Sequence, residues 1–264
     1  MAKLRIGVVP YMNAKPLIYG LEELSGKIEL VSEVPSALPE MLKKGDLDVT
    51  LMPSISYFRG TGYKIIPGSS ISSNGPVESV KLFIRTSSVE KVKVVALDND
   101  SLTSRVLTKI ILSKKYSIKP DFIPLGDKHK VYNEYADAFL VIGDDAIKIE
   151  EKGFIVLDLG YEWKELAGVP FVYALWVTRP ESKLHGFGKL LMDAKKRGLK
   201  SLDKIASHEA ERLELEKESC FRYLKESIKY DLGEQEIKGL ELFYNYALEI
   251  GEAFEGFKIE FYKE

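Results

Sequence analysis

Short apolar runs alternate with helical spacings in the first sixty residues. Residues 6–9, 28–34 and 49–52 have the length and the apolar character of buried strands. Between them, apolar residues recur at helical spacing over 15–24 and 36–44. A strand, helix, strand order of this kind predicts a parallel sheet that is covered by helices.

The same alternation returns further along the chain. The apolar pattern predicts strands at 92–97, 121–124, 138–142 and 155–159, and helices at 103–116, 128–135 and 145–151. Two longer strands, 77–85 and 171–178, flank this second unit. The segment 62–76 is rich in serine and is predicted to be a polar turn region. After residue 181 nearly all apolar spacings are helical.

Two such units, joined by two long strands, predict an α/β protein with two lobes and a cleft between them. The predicted fold class is the two-lobed periplasmic-binding-protein-like (type II) fold, with mixed, mostly parallel sheets and flanking helices. We expect residues 1–82 and 178–264 to form domain I and residues 83–177 to form domain II. Hinges are expected near 83–85 and 174–177.

The charges exclude some classes of function. The 264 residues are 45% hydrophobic and 30% charged, with a net charge of −2, so that no basic nucleic-acid surface is indicated. No apolar run approaches the roughly 18–20 residues that span a bilayer or the 7–15 of a signal-peptide core. We expect a cytoplasmic protein without nucleic-acid or membrane partners; the sequence leaves monomer and homodimer open.

Cysteine and histidine give no pattern of metal ligands. The single cysteine, Cys220, stands at helical spacing with Leu224, which indicates a buried structural thiol rather than a nucleophile. His129, His185 and His208 are scattered, without cysteine or carboxylate partners at ligand spacing. We therefore expect no metal site.

Polar residues collect at the ends of four predicted strands, where open α/β sheets bind ligands. They are Asn13; Ser54, after Pro53; Ser101, Thr103 and Ser104; and Gly143 with Asp144. Ser79 stands in the long strand that follows the first unit. In a two-lobed fold these residues would face the cleft. Their hydroxyls, amide and backbone N–H groups suit a small, multiply anionic ligand that is bound by neutral donors and helix N-termini.

Each of these residues also has a purely structural interpretation. Ser101 and Thr103 could only cap a helix, and so could Asp144. Asn13 could only support a tight turn, and Ser79 could be a hydroxyl at the edge of the core. The spacing of the residues does not decide between the two interpretations.

Seven blocks, in this order, resemble the chorismate dehydratase family of the futalosine route to menaquinone. They are VVPYMNAKPLIYGL, GDLDVTLMPSISYF, IPGSSISSNGPVESVKLF, ALDNDSLTSRVL, LVIGDDA, DLGYEWKELAGVPFVYALW and YLKESIKYDLGEQEIKGL. Each block alone is weak evidence for the resemblance, but the ordered set is specific and covers residues 5 to about 248. The family often has Ser and Leu where this chain has Pro10 and Met12, but Asn13 is kept.

The resemblance implies a carbon–oxygen lyase that converts chorismate, a small dicarboxylate, to 3-[(1-carboxyvinyl)oxy]benzoate and water. It implies neither a metal nor an organic cofactor. On this hypothesis Asn13 and Ser79 are catalytic, and the substrate-binding residues are Ser54, Ser101, Thr103, Ser104, Gly143 and Asp144. The base is either Asp144 or the enolpyruvyl carboxylate of the substrate. We favour the substrate, because a dianion repels a further protein carboxylate.

Three other functions remain open. A 1,4-dihydroxy-6-naphthoate synthase acts in the same pathway and shares the fold, but its larger substrate needs a roomier cleft. A non-catalytic protein that binds small anions is compatible with the fold, because function depends on the site. A regulator domain that senses an effector needs a DNA-binding segment, and we expect none before Ile6.

Overall fold

A computed structural model describes residues 3–24, 26–125, 135–184 and 186–263. Most of the predicted helix 128–135, together with His129 and His185, lies outside the described residues. In chain order the elements are β1 (Leu4–Val8), α1 (Lys15–Ile18), β2 (Ile28–Ser32), α2 (Leu38–Lys44), β3 (Val49–Pro53), α3 (Ser54–Arg59), β4 (Lys64–Ser73), β5 (Val80–Ile84), β6 (Val94–Leu97), α4 (Leu102–Lys114), β7 (Asp121–Pro124), β8 (Ala138–Ile142), α5 (Asp144–Lys148), β9 (Ile155–Asp158), α6 (Leu159–Ala167), β10 (Phe171–Thr178), α7 (Phe187–Lys200), α8 (Leu202–Leu213), α9 (Lys217–Arg222) and α10 (Glu234–Glu249).

Two five-stranded sheets define two lobes with the same arrangement. Their strand orders are β2-β1-β3-β10-β4 and β7-β6-β8-β5-β9. In each sheet three parallel strands are followed by an antiparallel strand from a distant part of the chain and then by a fifth strand. The fold class predicted from the alternation, α/β with mixed sheets and flanking helices, is confirmed.

The chain changes lobe in the connections before the two antiparallel strands. It leaves the first sheet after Ser73 and returns at Phe171. The expected boundaries at 82/83 and 177/178 lie inside β5 and β10, which have partners on both sides. We therefore propose two domains that meet at the connections 74–79 and 159–170, and we place the proposed hinges there too.

The segment 62–76, predicted to be a polar turn region, contains β4. Its serines are buried, and their hydroxyls bond to a segment that covers the edge of the sheet: Ser70 Oγ donates to Asp231 O at 2.7 Å, and Ser72 Oγ donates to Lys229 O at 3.0 Å. Backbone bonds of 2.9 and 2.8 Å join Ser72 and Lys229 as well. The serines therefore satisfy a strand edge rather than a turn.

The helix α6 was not predicted, because glycine and charged residues hide its apolar face. The Asp158 carboxylate caps it by accepting from the N–H groups of Gly160 and Tyr161, both at 3.0 Å. Trp163 is fully buried in its middle, and the helix ends at Gly168, whose φ is 72°.

The C-terminal helices pack on the first lobe, as their apolar spacing predicted. At Gly198 of α7, an added Cβ would lie 2.0 Å from the carbonyl oxygen of Pro16 in α1, so only glycine permits this approach. Phe243 of α10 packs on Phe171 of β10, with ring centroids 4.9 Å apart. Cys220 is a buried free thiol, as predicted. None of the helices in the described residues has the length and apolarity needed to cross a membrane.

Candidate functional site

A cleft of about 600 Å³, part of it open to solvent, lies between the lobes at the carboxyl ends of the strands. Each of the four predicted turns contributes to its lining, through Asn13, Pro53, the segment 101–104 and Gly143. The connection between the lobes adds Ser79, and β10 adds Tyr173. Within the described part of the chain, no charged side chain lines this cleft. Anions must therefore be bound by neutral donors.

Asn13 lies in a short 3₁₀ turn, Met12–Ala14, between β1 and α1. Met12 and Ala14 point into the core and are fully buried, whereas Asn13 lies between them and lines the cleft. The side-chain oxygen of Asn13 is buried and has no hydrogen-bond partner among the described residues. A buried acceptor without a partner is costly, so this atom favours a ligand that donates a hydrogen bond.

Ser79 is placed by the connection that crosses between the lobes. The preceding residue, Glu78, has a φ of 62°, a left-handed conformation that is strained for a residue with a side chain. Asp158 stabilises this turn by accepting from the N–H groups of Val77, at 2.9 Å, and Glu78, at 2.7 Å. Burial raises the pKa of this carboxyl, while the four backbone donors oppose the increase. The strained turn thus brings Ser79 to the cleft.

The first turn of α4 forms the opposite wall. Ser101, Thr103 and Ser104 all line the cleft, and Ser101 makes no capping bond with its side chain. The capping interpretation therefore does not account for Ser101. Thr103 Oγ1 accepts from the N–H of Ile55 at 3.3 Å and so joins the lobes. The first N–H groups of a 13-residue helix, with its dipole, suit a carboxylate here.

Two of the eight predicted site residues are not part of the lining. Ser54 is fully buried and donates to the carbonyl oxygen of Val172 at 2.6 Å, which ties α3 to β10. Asp144 accepts from the N–H of Met12 at 3.0 Å and from the guanidinium of Arg212 at 2.8 Å. The neighbours Pro53 and Gly143 line the cleft instead.

Three tyrosines near the site were not among the predicted site residues. Tyr11 lines the cleft, and burial together with nearby carboxylates, Asp98 first among them, raises its pKa. Tyr173 is also in the lining and shares a 3.2 Å hydrogen bond with Ser73.

The third tyrosine is Tyr223, in a π-helical turn, Tyr223–Ser227, after α9. Burial raises the pKa of its phenol, while hydrogen bonds with the side chains of Ser79 and Asn13 lower it. The phenol therefore lies beside both proposed catalytic residues. Tyr11 could have been found from its place beside Asn13. Nothing near Tyr223 in the sequence indicates its position, since it reaches the site from the C-terminal helices.

These features define a two-lobed α/β protein of the periplasmic-binding-protein-like class, with a cleft between its lobes that is lined by uncharged residues. Solved structures have the same fold. A protein of Archaeoglobus fulgidus has a TM-score of 0.71 at 19% identity, with 94% of this chain and 98% of that chain covered. A Candida albicans gene product, described as having the generic periplasmic binding protein fold, has a TM-score of 0.64 at 12% identity, covering 100% and 99%.

The sequence narrows this class to one family. The pattern of the family described as menaquinone biosynthesis matches residues 4–249, and the chain belongs to that family. A curated relative, chorismate dehydratase of Thermus thermophilus, is 29% identical over 257 residues, which cover 90% of this chain and 93% of the relative. The family resemblance seen in the sequence blocks is thereby confirmed.

Proposed function

We propose that this protein is a chorismate dehydratase, a hydro-lyase that forms 3-[(1-carboxyvinyl)oxy]benzoate and water in the futalosine route to menaquinone. Membership of the menaquinone biosynthesis family and the similarity to a chorismate dehydratase support this proposal. We propose that it acts in the cytoplasm on free chorismate. No metal or organic cofactor enters the proposal.

The unpartnered oxygen of Asn13 is the observation on which the proposal depends most. It favours a ligand that donates a hydrogen bond, in a cleft whose other polar side chains are hydroxyls that can donate as well as accept. Chorismate carries one ring hydroxyl and two carboxylates, so it offers one donor and several acceptors. The hydroxyl at C4 would donate to Asn13, and the carboxylates would accept from Thr103, Ser104 and the N–H groups of the first turn of α4.

The proposed reaction removes the proton at C3 and the hydroxyl at C4. When the C3–H bond breaks, its electron pair moves through the C1=C2 bond into the ring carboxylate. Donors that point at this carboxylate stabilise the developing charge. The electrons then form the C3–C4 double bond, hydroxide leaves from C4, and with the abstracted proton it becomes water. The ring is aromatic after this step, which makes the reaction favourable.

We propose that the enolpyruvyl carboxylate of the substrate takes the C3 proton. The alternative base was Asp144, but its two oxygens already accept from Met12 and Arg212, and its side chain is outside the lining. A substrate carboxylate attached through oxygen to C3 can reach the proton without any protein base. The cleft then contributes orientation and the exclusion of water.

The direct test is to incubate the purified protein with chorismate and to separate the products by liquid chromatography with mass detection. We expect a product that is lighter by one water and has an aromatic ultraviolet spectrum. A known chorismate dehydratase in parallel shows that the substrate and conditions are sound. Unchanged chorismate beside an active control would contradict the proposal. The naphthoate synthase or an anion-binding protein would then become the leading hypothesis.

A further inference from the structure

We propose that Asp144 and Arg212 form a clamp between the lobes that positions Asn13. The clamp is the hydrogen-bonded series Met12, Asp144, Arg212 and Glu209. The catalytic importance of positioning Asn13 rests on the proposed function. The contacts themselves do not depend on the identity of the substrate.

The first contact fixes the backbone beside Asn13. Asp144, at the start of α5 in the second lobe, accepts from the N–H of Met12 in the first lobe at 3.0 Å. The bond is buried, and Met12 directly precedes Asn13. A charged acceptor makes such a bond stronger than one between neutral groups. The peptide next to Asn13 is therefore held by a carboxylate of the opposite lobe.

The second contact returns to the first lobe. Asp144 Oδ2 accepts from Arg212 of α8 at 2.8 Å. Arg212 also donates twice to Glu209, one turn earlier in α8, at 2.8 and 2.6 Å. The side chain of Glu209 is 2% exposed and that of Asp144 is 10% exposed, so both charges need the guanidinium close by. The bonds to Glu209 thus hold the guanidinium of Arg212 in the orientation in which it donates to Asp144.

Gly143 completes the contact between the same two turns. Its φ of 68° brings its backbone so close to Tyr11 that an added Cβ would lie 2.8 Å from the ring. Tyr11 and Met12 therefore both contact the turn that begins α5. The residues on this side of Asn13 depend on the second lobe for their position.

A second ion pair between the lobes, whose carboxylate is exposed, provides a control. Lys114, at the end of α4, pairs with Glu249, at the end of α10. Neither residue lines the cleft. If ion pairs act only by keeping the lobes together, the loss of this pair should also raise exchange near Met12, by a smaller factor because Glu249 is exposed. If the clamp positions Asn13, only the Arg212 pair should matter for the site.

The test compares Arg212→Gln, Asp144→Ala and Lys114→Gln with the wild type by amide hydrogen exchange, read by mass spectrometry on a peptide that contains Met12. We expect exchange of this peptide to rise about tenfold or more in the first two variants, since each loses a charge-assisted hydrogen bond. Lys114→Gln should leave it unchanged. Equal exchange in all four proteins, or an equal rise in all three variants, would overturn the clamp.

Turnover of chorismate gives a second readout. We expect kcat to fall about tenfold in Arg212→Gln while KM changes less, because the bond aligns a group that acts on the reacting atoms. Arg212→Lys, which keeps the charge, should retain more of the wild-type kcat than Arg212→Gln. Asp144→Asn, which keeps an acceptor for Met12, should retain more activity than Asp144→Ala. If Asp144 were the base instead, both Asp144 variants would be equally inactive, which would overturn a purely positioning role.

The two readouts separate failure of the clamp from failure of the proposed function. Hydrogen exchange requires no substrate, so it tests the clamp even if the wild type leaves chorismate unchanged. If the wild type is active but exchange does not respond to Arg212→Gln, the clamp is wrong and the dehydratase proposal stands.

Discussion

The two lobes have equivalent sheets, each with three parallel strands: β1, β2 and β3 in one, β6, β7 and β8 in the other. At the cleft, the turn after the first of these strands in each lobe contacts the turn after the third in the other lobe. The turn after β8 accepts from the turn after β1, through Asp144 and the N–H of Met12 at 3.0 Å. The turn after β3 donates to the turn after β6, through the N–H of Ile55 and Thr103 at 3.3 Å. The first lobe therefore contributes both backbone N–H groups, and the second lobe contributes both acceptor side chains.

The two crossings differ in the chemistry of the acceptor. Asp144 is a carboxylate that is held by Arg212 and kept out of the cleft lining. Thr103 is a neutral hydroxyl that lines the cleft. The charged crossing suits a fixed contact, whereas the neutral one can rearrange when a carboxylate binds. On the proposed function, we infer that the equivalent turns are specialised, with the first lobe orienting the reacting carbons and the second binding the carboxylates.

The largest effect is expected from substitution of Asn13, which we compare with substitution of Ser104 in the other lobe. Asn13→Ala should lower kcat by about 10²–10³-fold, the usual loss for a group that acts in the transition state. Ser104→Ala should mainly raise KM, by about tenfold, because it removes one bond to a carboxylate. Steady-state kinetics with chorismate separate the two. Asn99→Ala, at an exposed asparagine before α4, is the control. Equal effects of Asn13→Ala and Ser104→Ala would contradict the specialisation of the lobes.

Gly143 should give the next largest effect. Gly143→Ala places a Cβ against the ring of Tyr11 and forces a side chain into a positive-φ conformation. We expect a loss of about 1–3 kcal/mol in the free energy of unfolding, together with lower kcat. Gly153 has a φ of 90°, but an added Cβ there would meet no atom within 4 Å. Gly153→Ala therefore measures the destabilisation from the positive φ alone, without a contact like that between Gly143 and Tyr11. Urea unfolding of both variants, in parallel with kinetics, checks this; an active Gly143→Ala would contradict it.

The sequence predicted the architecture because each element is encoded locally. Apolar periodicity located most strands and helices, and the alternating order indicated two lobes. The serines of β4 misled because their hydroxyls bond to residues 229–231, more than 150 positions away. No local pattern reveals such a partner.

The site was predicted at the level of turns more reliably than of single atoms. All four strand ends lie at the cleft, since parallel strands bring their carboxyl ends to one edge. Which residue of a turn faces the ligand depends on its backbone angles, and so Gly143 lines the cleft while Asp144 does not. Tyr223 and Arg212 come from helices that follow the β/α units, and their approach is set by tertiary packing alone.

Thr103 tests the neutral crossing. Thr103→Val keeps the shape but leaves the buried N–H of Ile55 without its acceptor, at a cost of about 1 kcal/mol. KM should rise by about fivefold to tenfold with little change in kcat. Thr103→Ser, which keeps the hydroxyl, should have nearly the wild-type stability and KM. Thr108→Val, whose hydroxyl bonds within α4 to Ser104 O at 2.8 Å, should change stability without changing KM. Unfolding midpoints and kinetics give the two values, and a KM shift in Thr108→Val alone would count against the assignment.

The smallest effect is expected from Tyr11, and only in alkaline solution. Burial and the carboxylates Asp98, Asp100 and Asp144 raise the pKa of its phenol above the ordinary value of 10.0, so the folded protein favours the neutral form. The contribution of Tyr11 to stability is therefore complete below pH 10 and is lost as the pH rises above it. Tyr11→Phe should change the free energy of unfolding by about 0.5 kcal/mol or less at pH 8. Above pH 10 it should lose less stability than the wild type. Urea unfolding at pH 8 and above pH 10, with Tyr161→Phe at the surface as the control, measures the difference. Identical pH dependence in the wild type and Tyr11→Phe would show that burial and the carboxylates do not raise the pKa of this phenol.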